Sequence, residues 1–248
     1  MADVSVATMD GRETVLTGVT IDDFKSRLLG SVLRMGDPGY DEARALWNGM
    51  IDRRPSLIAR CAGTADVICS VKFAREHNLL VSVKGAGHNI AGMASSNGSL
   101  MIDLSPMKWV RVDPEARTAL VGPGATLRAV DHETQAFGLA IPLGINSTTG
   151  IAGLTLGGGF GWLSRGLGLT IDNLLSADVV TAEGKLIRAS EKENADLFWG
   201  IRGGGGNFGV VTSFQFRLHP VGPQVLAGLI IHPFKDAGKV FRHYRSFV

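Results

Sequence analysis

Residues 81–92 read VSVKGAGHNIAG, and the reading of this stretch decides what kind of fold surrounds it. Val81 and Val83 alternate with Ser82 and Lys84, the period-two pattern of a strand that ends at Lys84. Gly85 and Gly87 then free the backbone to turn sharply or to approach a ligand closely. Loops of this composition hold phosphate with successive backbone N–H groups and need no side chain for it. An imidazole in the middle of such a cradle, His88, is therefore the residue that asks for an explanation.

Working outward, residues 55–85 (PSLIARCAGTADVICSVKFAREHNLLVSVKG) read as a strand–helix–strand unit. Thr64 is placed to cap the helix, and Val67, Ile68, Val71 and Phe73 are its apolar positions before the strand at Leu80–Val83. Residues 118–142 (TALVGPGATLRAVDHETQAFGLAIP) repeat the scheme as a strand, a Gly-Pro-Gly turn and a helix ending near Gly138. Thr20 is the expected N-cap of a short helix in TIDDF. From Leu174 the pattern changes, with two strands joined around Glu183-Gly184 as a hairpin. Phe214, Phe216 and Leu218 alternate with Ser213, Gln215 and Arg217 in a strand buried on one face. Pro220 and Pro223 punctuate a boundary, after which one strand and the start of an amphipathic helix are expected. Strands alternating with helices argue for an α/β or α+β layer fold.

The bulk numbers exclude several classes. Of 248 residues 45% are hydrophobic, enough for a buried core, and the net charge of +2 with no Lys/Arg run offers nucleic acid no electrostatic footprint. No stretch approaches the ~18 apolar residues of a membrane span, and MADVSVATMDGRE lacks the apolar region of a secretory signal. Cys61 and Cys69 read better as two buried thiols in a reducing cytosol than as a disulfide, which places the chain in the cytoplasm. His77, His132, His219, His232 and His243 show no metal-ligand spacing, so no metal is expected.

Glycine is the outlier, with 33 residues, roughly twice the usual ~7% share. The glycines gather in five loops: KGAGHNIAG, VGPGATL, STTGIAGLTLGGGFG, GLGL and IRGGGGNFG. None carries GxxxxGK followed by Ser or Thr, and none forms a GxGxxG that opens a helix with an acid further on. That disfavours both a P-loop and a Rossmann site. Convergence of so many loops points instead to a large, elongated, phosphate-bearing ligand held mostly by backbone. Thr148, Thr149 and Gly150 are placed to open a short helix over Ile151–Leu156, after which Gly157, Gly158, Gly159 and Gly161 would let the chain turn against a flat ring. Phe160 and Trp162 are expected in the core, Asp172-Asn173 in a turn, and Asp131, His132 and Glu133 on a solvated helix face.

Together, VKGAGHNIAG, GINSTTGIAGLTLGGGFGWLSRGLGLTIDNLLSADVVTAEG and DLFWGIRGGGGNFGVVTSFQFRLHPVGP resemble the FAD-linked oxidases of the berberine bridge enzyme-like group. That group shares the FAD-binding domain of the vanillyl-alcohol oxidase and p-cresol methylhydroxylase (PCMH) superfamily. The resemblance runs from Thr20 to Pro223 in the same motif order. It implies an α+β fold: a two-subdomain, PCMH-type FAD-binding domain over 20–222, after an N-terminal tail (1–19) and before the first elements of a truncated substrate domain (223–248). His88 becomes the attachment point for the flavin 8α-methyl group, chemistry within reach of a neutral imidazole. Lys84, Gly85, Ala86, Gly87 and Asn89 would surround the pyrophosphate with it. Thr149, Gly150, Gly153, Gly158 and Gly161 would line the rest of the flavin path, and Val210 and Val211 would lie near the adenine end.

Three departures from the group's pattern stand out. Lys84 and Ala86 replace an Arg and a Gly that are common there. Asn146 occupies the place where bicovalent members carry a Cys, so no second, cysteinyl link is expected. Gly166 and Leu167 stand where larger polar or aromatic residues are common. The resemblance implies an oxidoreductase that moves hydride from a C–H bond of a small organic substrate to flavin N5. Its alternative is a flavin-binding module that is incompetent without the substrate domain. Tyr40 and Tyr244, the only tyrosines, match no catalytic motif, and no catalytic base is assigned. A small-molecule substrate is the expected partner, with neither nucleic acid nor membrane.

Overall fold

The structure, a computed structural model, describes residues 2–247. The chain opens with β1 (Val4–Ala7) and β2 (Glu13–Leu16), an antiparallel hairpin, followed by α1 (Gly18–Ser26), β3 (Ser31–Leu33) and α2 (Tyr40–Arg44). The strand–helix–strand unit then forms as β4 (Leu57–Arg60), α3 (Thr64–Glu76) and β5 (Val81–Lys84), and β6 (Leu100–Asp103) inserts between the two strands. This sheet has the order β3-β4-β6-β5, with β4, β6 and β5 parallel and β3 antiparallel at the edge. All four residues of β6 are buried, as a central parallel strand covered on both faces requires.

The N-terminal segment is not the tail expected for residues 1–19. Val6 and Leu16 are buried and pack with Ile21, Phe24, Leu57 and Phe73, so alternation in two four-residue strands gives the hairpin an inward face. Helix α1 begins earlier than expected: Thr17 is the N-cap, and its hydroxyl accepts from the Thr20 N–H. Phe24 from α1 stacks on Phe73 from α3 with centroids 4.1 Å apart. The buried Asp66 carboxylate, in the first turn of α3, accepts from the backbone N–H groups of Leu29, Gly30 and Ala62 and ties that turn to the preceding loops. Cys61 is buried and Cys69 half-buried, both free, and burial pushes the Cys61 thiol up to about 12.

The second unit contains β7 (Val110–Asp113), β8 (Thr118–Val121), α4 (Leu127–Gln135), β9 (Leu139–Ala140), α5 (Ile151–Leu156) and α6 (Ser164–Leu167). A 3-10 turn over Thr170–Asn173 leads into β10 (Leu174–Val180), β11 (Leu186–Ser190), α7 (Ala195–Ile201), β12 (Val210–Arg217) and β13 (His219–Pro220). The antiparallel order β11-β10-β12-β8-β7 includes the hairpin expected around Gly184. Phe214, Phe216 and Leu218 face the core, as their alternation requires. A smaller cluster joins the two units, with Cys61, Val67, Ile102, Leu104 and Met107 from the first side packed on Val180 and Val210 from the second. This is a mixed α/β, two-unit architecture with one apolar seam.

The strand expected after Pro223 is absent. Residues 224–231 take no regular structure, and Leu226, Leu229, Ile230 and Ile231 are exposed, because no neighbouring strand among the described residues supplies their hydrogen bonds. Helix α8 (Ala237–Phe247) follows with no buried residue. Among the described residues no helix is long and apolar enough to cross a membrane, and no group of three or more His, Cys, Asp or Glu is placed to hold a metal.

Candidate functional site

Two loops from different units meet beyond the C-terminal end of β5. The first is 85–89; the second is 146–150, the turn that enters α5. Ala86 packs against Gly150: a Cβ on Gly150 would lie 2.7 Å from the Ala86 methyl carbon. Ala86 keeps an ordinary backbone conformation, since the described non-glycine residues with positive φ are Asn78, Arg117 and Asn194. Gly87 takes φ +73 at the apex, and its carbonyl accepts from the Trp47 N–H. The second loop is held from behind, where the Leu127 N–H donates to the Thr149 carbonyl and the Ile151 N–H to the Ala125 carbonyl.

His88 is the half-buried side chain that spans the junction. Its Nε2 lies 3.0 Å from the Thr148 hydroxyl oxygen and its Nδ1 lies 3.5 Å from that of Thr149. The indole of Trp47 stacks on the imidazole at 5.0 Å between centroids and 23° between planes. Burial lowers the pKa of His88 below the ordinary imidazole value, which favours the neutral, nucleophilic form. Lys84 faces elsewhere. Its ammonium is buried and donates to the Ala43 carbonyl, and burial lowers its pKa. The Asn89 side-chain oxygen accepts from the Met93 N–H and closes the exit of the loop.

Beyond the junction, Gly144, Asn146, Thr149, Gly153, Gly157 and Gly159 line an open depression of about 410 Å³. The glycines along it are there for different reasons. Gly161 is dictated by the chain itself, since a Cβ there would lie 1.7 Å from the Leu143 carbonyl oxygen. Gly153, inside α5 and exposed, has nothing within 4 Å of an added Cβ. A helical glycine costs about 1 kcal/mol relative to alanine, so a position with free space and no conformational demand gains only from something outside the chain. Gly158 also has room about it, but its φ of +106 by itself calls for glycine. The cradle therefore fits a flat ligand laid against backbone.

Val210 and Val211 are buried at the start of β12, paired with Val180 and Val179 of β10, and Val210 belongs to the seam between the units. Phe160 and Trp162 are not core: both are exposed, and Phe160 lines the depression. Asp172-Asn173 lies in the 3-10 turn, and Asp172 accepts from the Leu169 N–H. His132 and Glu133, although adjacent on an exposed helix face, approach to 3.1 Å through Nδ1 and Oε1. What sequence reasoning missed is Trp47 and Thr148 as partners of His88, with Asn146 bonded in turn to Thr148. Trp47 sits in the short stretch ARALWNGMI (43–51), which has no helical or strand periodicity to mark it.

Residues 55–190 match the family described as FAD binding domain. The chain is 40% identical over 201 residues to (R)-6-hydroxynicotine oxidase of Paenarthrobacter nicotinovorans, covering 81% of this chain and 44% of the relative. It is 36% identical over 228 residues to an uncharacterised FAD-linked oxidoreductase, YgaK, of Bacillus subtilis, covering 90% and 50%. The solved structure of xylooligosaccharide oxidase from Myceliophthora thermophila superposes with a TM-score of 0.76 at 34% identity, covering 81% of this chain and 43% of that one. The chain thus spans half or less of the length of each of these relatives.

Proposed function

Because the chain belongs to the FAD binding domain family, we propose that it holds FAD across the two loops with His88 as a covalent tether, and that it is the flavin-binding part of an oxidoreductase acting on a small organic molecule. The observation that carries this reading is the junction itself, where the His88 imidazole, stacked on Trp47, faces the hydroxyl of Thr149, a residue that lines the open depression with Gly153 and Gly157. Backbone of 85–89 would lie along the pyrophosphate, Thr149, Gly150, Gly153 and Gly158 along the ring, and Val210 and Val211 toward the adenine end. Lys84 contributes through its backbone, because its ammonium is engaged with Ala43. When bound, FAD accepts a hydride equivalent from a substrate carbon and passes two electrons to dioxygen or another acceptor. The protein orients that group: Trp47 and Thr148 hold the His88 ring, and α5 offers a flat backbone face. Asn146 supplies no thiol for a second link.

Relatives named for hydroxynicotine and xylooligosaccharide favour a substrate whose reacting C–H lies beside an amine or a hydroxyl. The exposed apolar segment 224–231 and α8 are read as the first elements of a further domain that would wall in the substrate. A second reading is a flavin-binding module without turnover of its own. Purified chain loaded with FAD should be yellow and keep its flavin after acid precipitation, while His88→Ala should bind FAD yet release it under acid. Equal release from both proteins would rule out the tether. Hydrogen peroxide production across a panel of amines and sugars separates the enzyme from the module.

A further inference from the structure

We propose that Asn146, acting through Thr148, locks His88 in its Nε2–H tautomer and leaves Nδ1 as the free nucleophilic nitrogen; this rests on the tether reading above. The argument is a count of protons. The Asn146 side-chain oxygen accepts from the backbone N–H of Thr148 at 3.1 Å and from the Thr148 hydroxyl at 2.8 Å. A backbone N–H can only donate, so the oxygen and not the amide nitrogen must face Thr148. The hydroxyl has one proton, and it is spent on Asn146. Toward His88 Nε2, 3.0 Å away, the same oxygen can therefore only accept. Nε2 carries the hydrogen. A neutral imidazole has a single N–H, so Nδ1 keeps its lone pair.

The rest of the setting agrees. Nδ1 meets the Thr149 hydroxyl oxygen at 3.5 Å, too long to hold the lone pair firmly. Stacking on Trp47 sets the plane of the ring, and a half-turn that keeps that plane would put ring carbons where Nε2 and Nδ1 now face the two hydroxyls. Asn146 thus becomes a positioning residue for the histidyl bond. In that bond-forming step the imidazole loses its N–H hydrogen and the 8α-methyl carbon loses one hydrogen. Nδ1–C forms, and the two protons and two electrons released reduce dioxygen to hydrogen peroxide.

The test uses the full chain with ¹⁵N-labelled histidine, purified without flavin and held above the imidazole pKa. Long-range ¹H–¹⁵N spectra should show His88 with Nε2 protonated and Nδ1 bare. Asn146→Ala should release the Thr148 hydroxyl to donate and populate the Nδ1–H form, whereas Asn146→Asp, which keeps an acceptor oxygen, should retain the native tautomer. After FAD addition, mass spectrometry of the His88 peptide should show adduct formation slowed ~5–10-fold in Asn146→Ala, the factor one hydrogen-bond preference supplies, and nearly unchanged in Asn146→Asp. Nδ1–H in the native chain, or an unaltered tautomer in Asn146→Ala, overturns the lock. A native chain that forms no adduct refutes the tether instead, and the flavin-free spectra decide the lock independently.

Discussion

Burial of part of its ring lowers the pKa of His88 below the ordinary imidazole value, and that has a consequence for stability. Its folded pKa lies below the ordinary ~6.5, so between the two values the unfolded chain binds the proton and the folded chain does not. Stability contributed here is present above about 6.5 and is lost as the pH falls through that window. His219 is shifted the same way, by burial first and by Arg217 second. Thermal melts of the flavin-free chain should fall between pH 7 and 5, and His88→Gln should make that decline shallower. An unchanged slope would mean that the imidazole is as well solvated folded as unfolded. The loop alone singled this residue out but supported only a phosphate-binding turn; the role expected of it came from the two later glycine segments. Its partners were not legible: Trp47 lies 41 positions upstream and Thr148 60 positions downstream, and only the folded backbone brings them together.

Helix α5 is where the cradle can be tested as an element. Gly153→Ala meets no atom of the chain and removes a helix-breaking residue, so the flavin-free protein should gain up to ~1 kcal/mol, about 2–4 °C in Tm. The same change should weaken FAD binding, measured by fluorescence quenching, because the added methyl occupies the face offered to the ring. Gly150→Ala is the control: its Cβ would stand 3.0 Å from the Ala86 nitrogen and 2.7 Å from the Ala86 methyl, and it should destabilise by roughly 1–3 kcal/mol without flavin. If Gly153→Ala gained stability with no loss of FAD, the depression would not be the flavin path. Strands and helices with strong periodicity were readable from sequence, β10 to β12 and α3 among them. The short ones were not. The β1–β2 hairpin carries four residues per strand, too few for alternation to stand out, and its packing on α1 decides it. The segment 224–231 erred the other way, since an apolar run predicts a strand only where a neighbouring edge exists to pair with it.

At the scale of the whole molecule, the two units touch through a seam of apolar side chains and through the loop junction at its mouth. The residues alone gave an α/β or α+β layer fold, and the FAD-binding domain came from the resemblance carried by the motifs in their order, because glycine loops are local features. The seam itself was not visible, since Ile102, Leu104 and Met107 meet Val180 and Val210 across more than seventy intervening residues. His88 belongs to the first unit, and the hydroxyls it meets belong to the second. A cofactor bonded at that point and lying on the second unit's glycine wall would act as a clasp between two halves of one chain. A ligand that merely binds stabilises in proportion to the logarithm of its free concentration, and that contribution vanishes on dilution. A clasp bonded to the chain has no free concentration to lose. The Tm of flavin-loaded native chain should therefore hold constant across a hundredfold dilution, while that of FAD-loaded His88→Ala should drift down toward its flavin-free value.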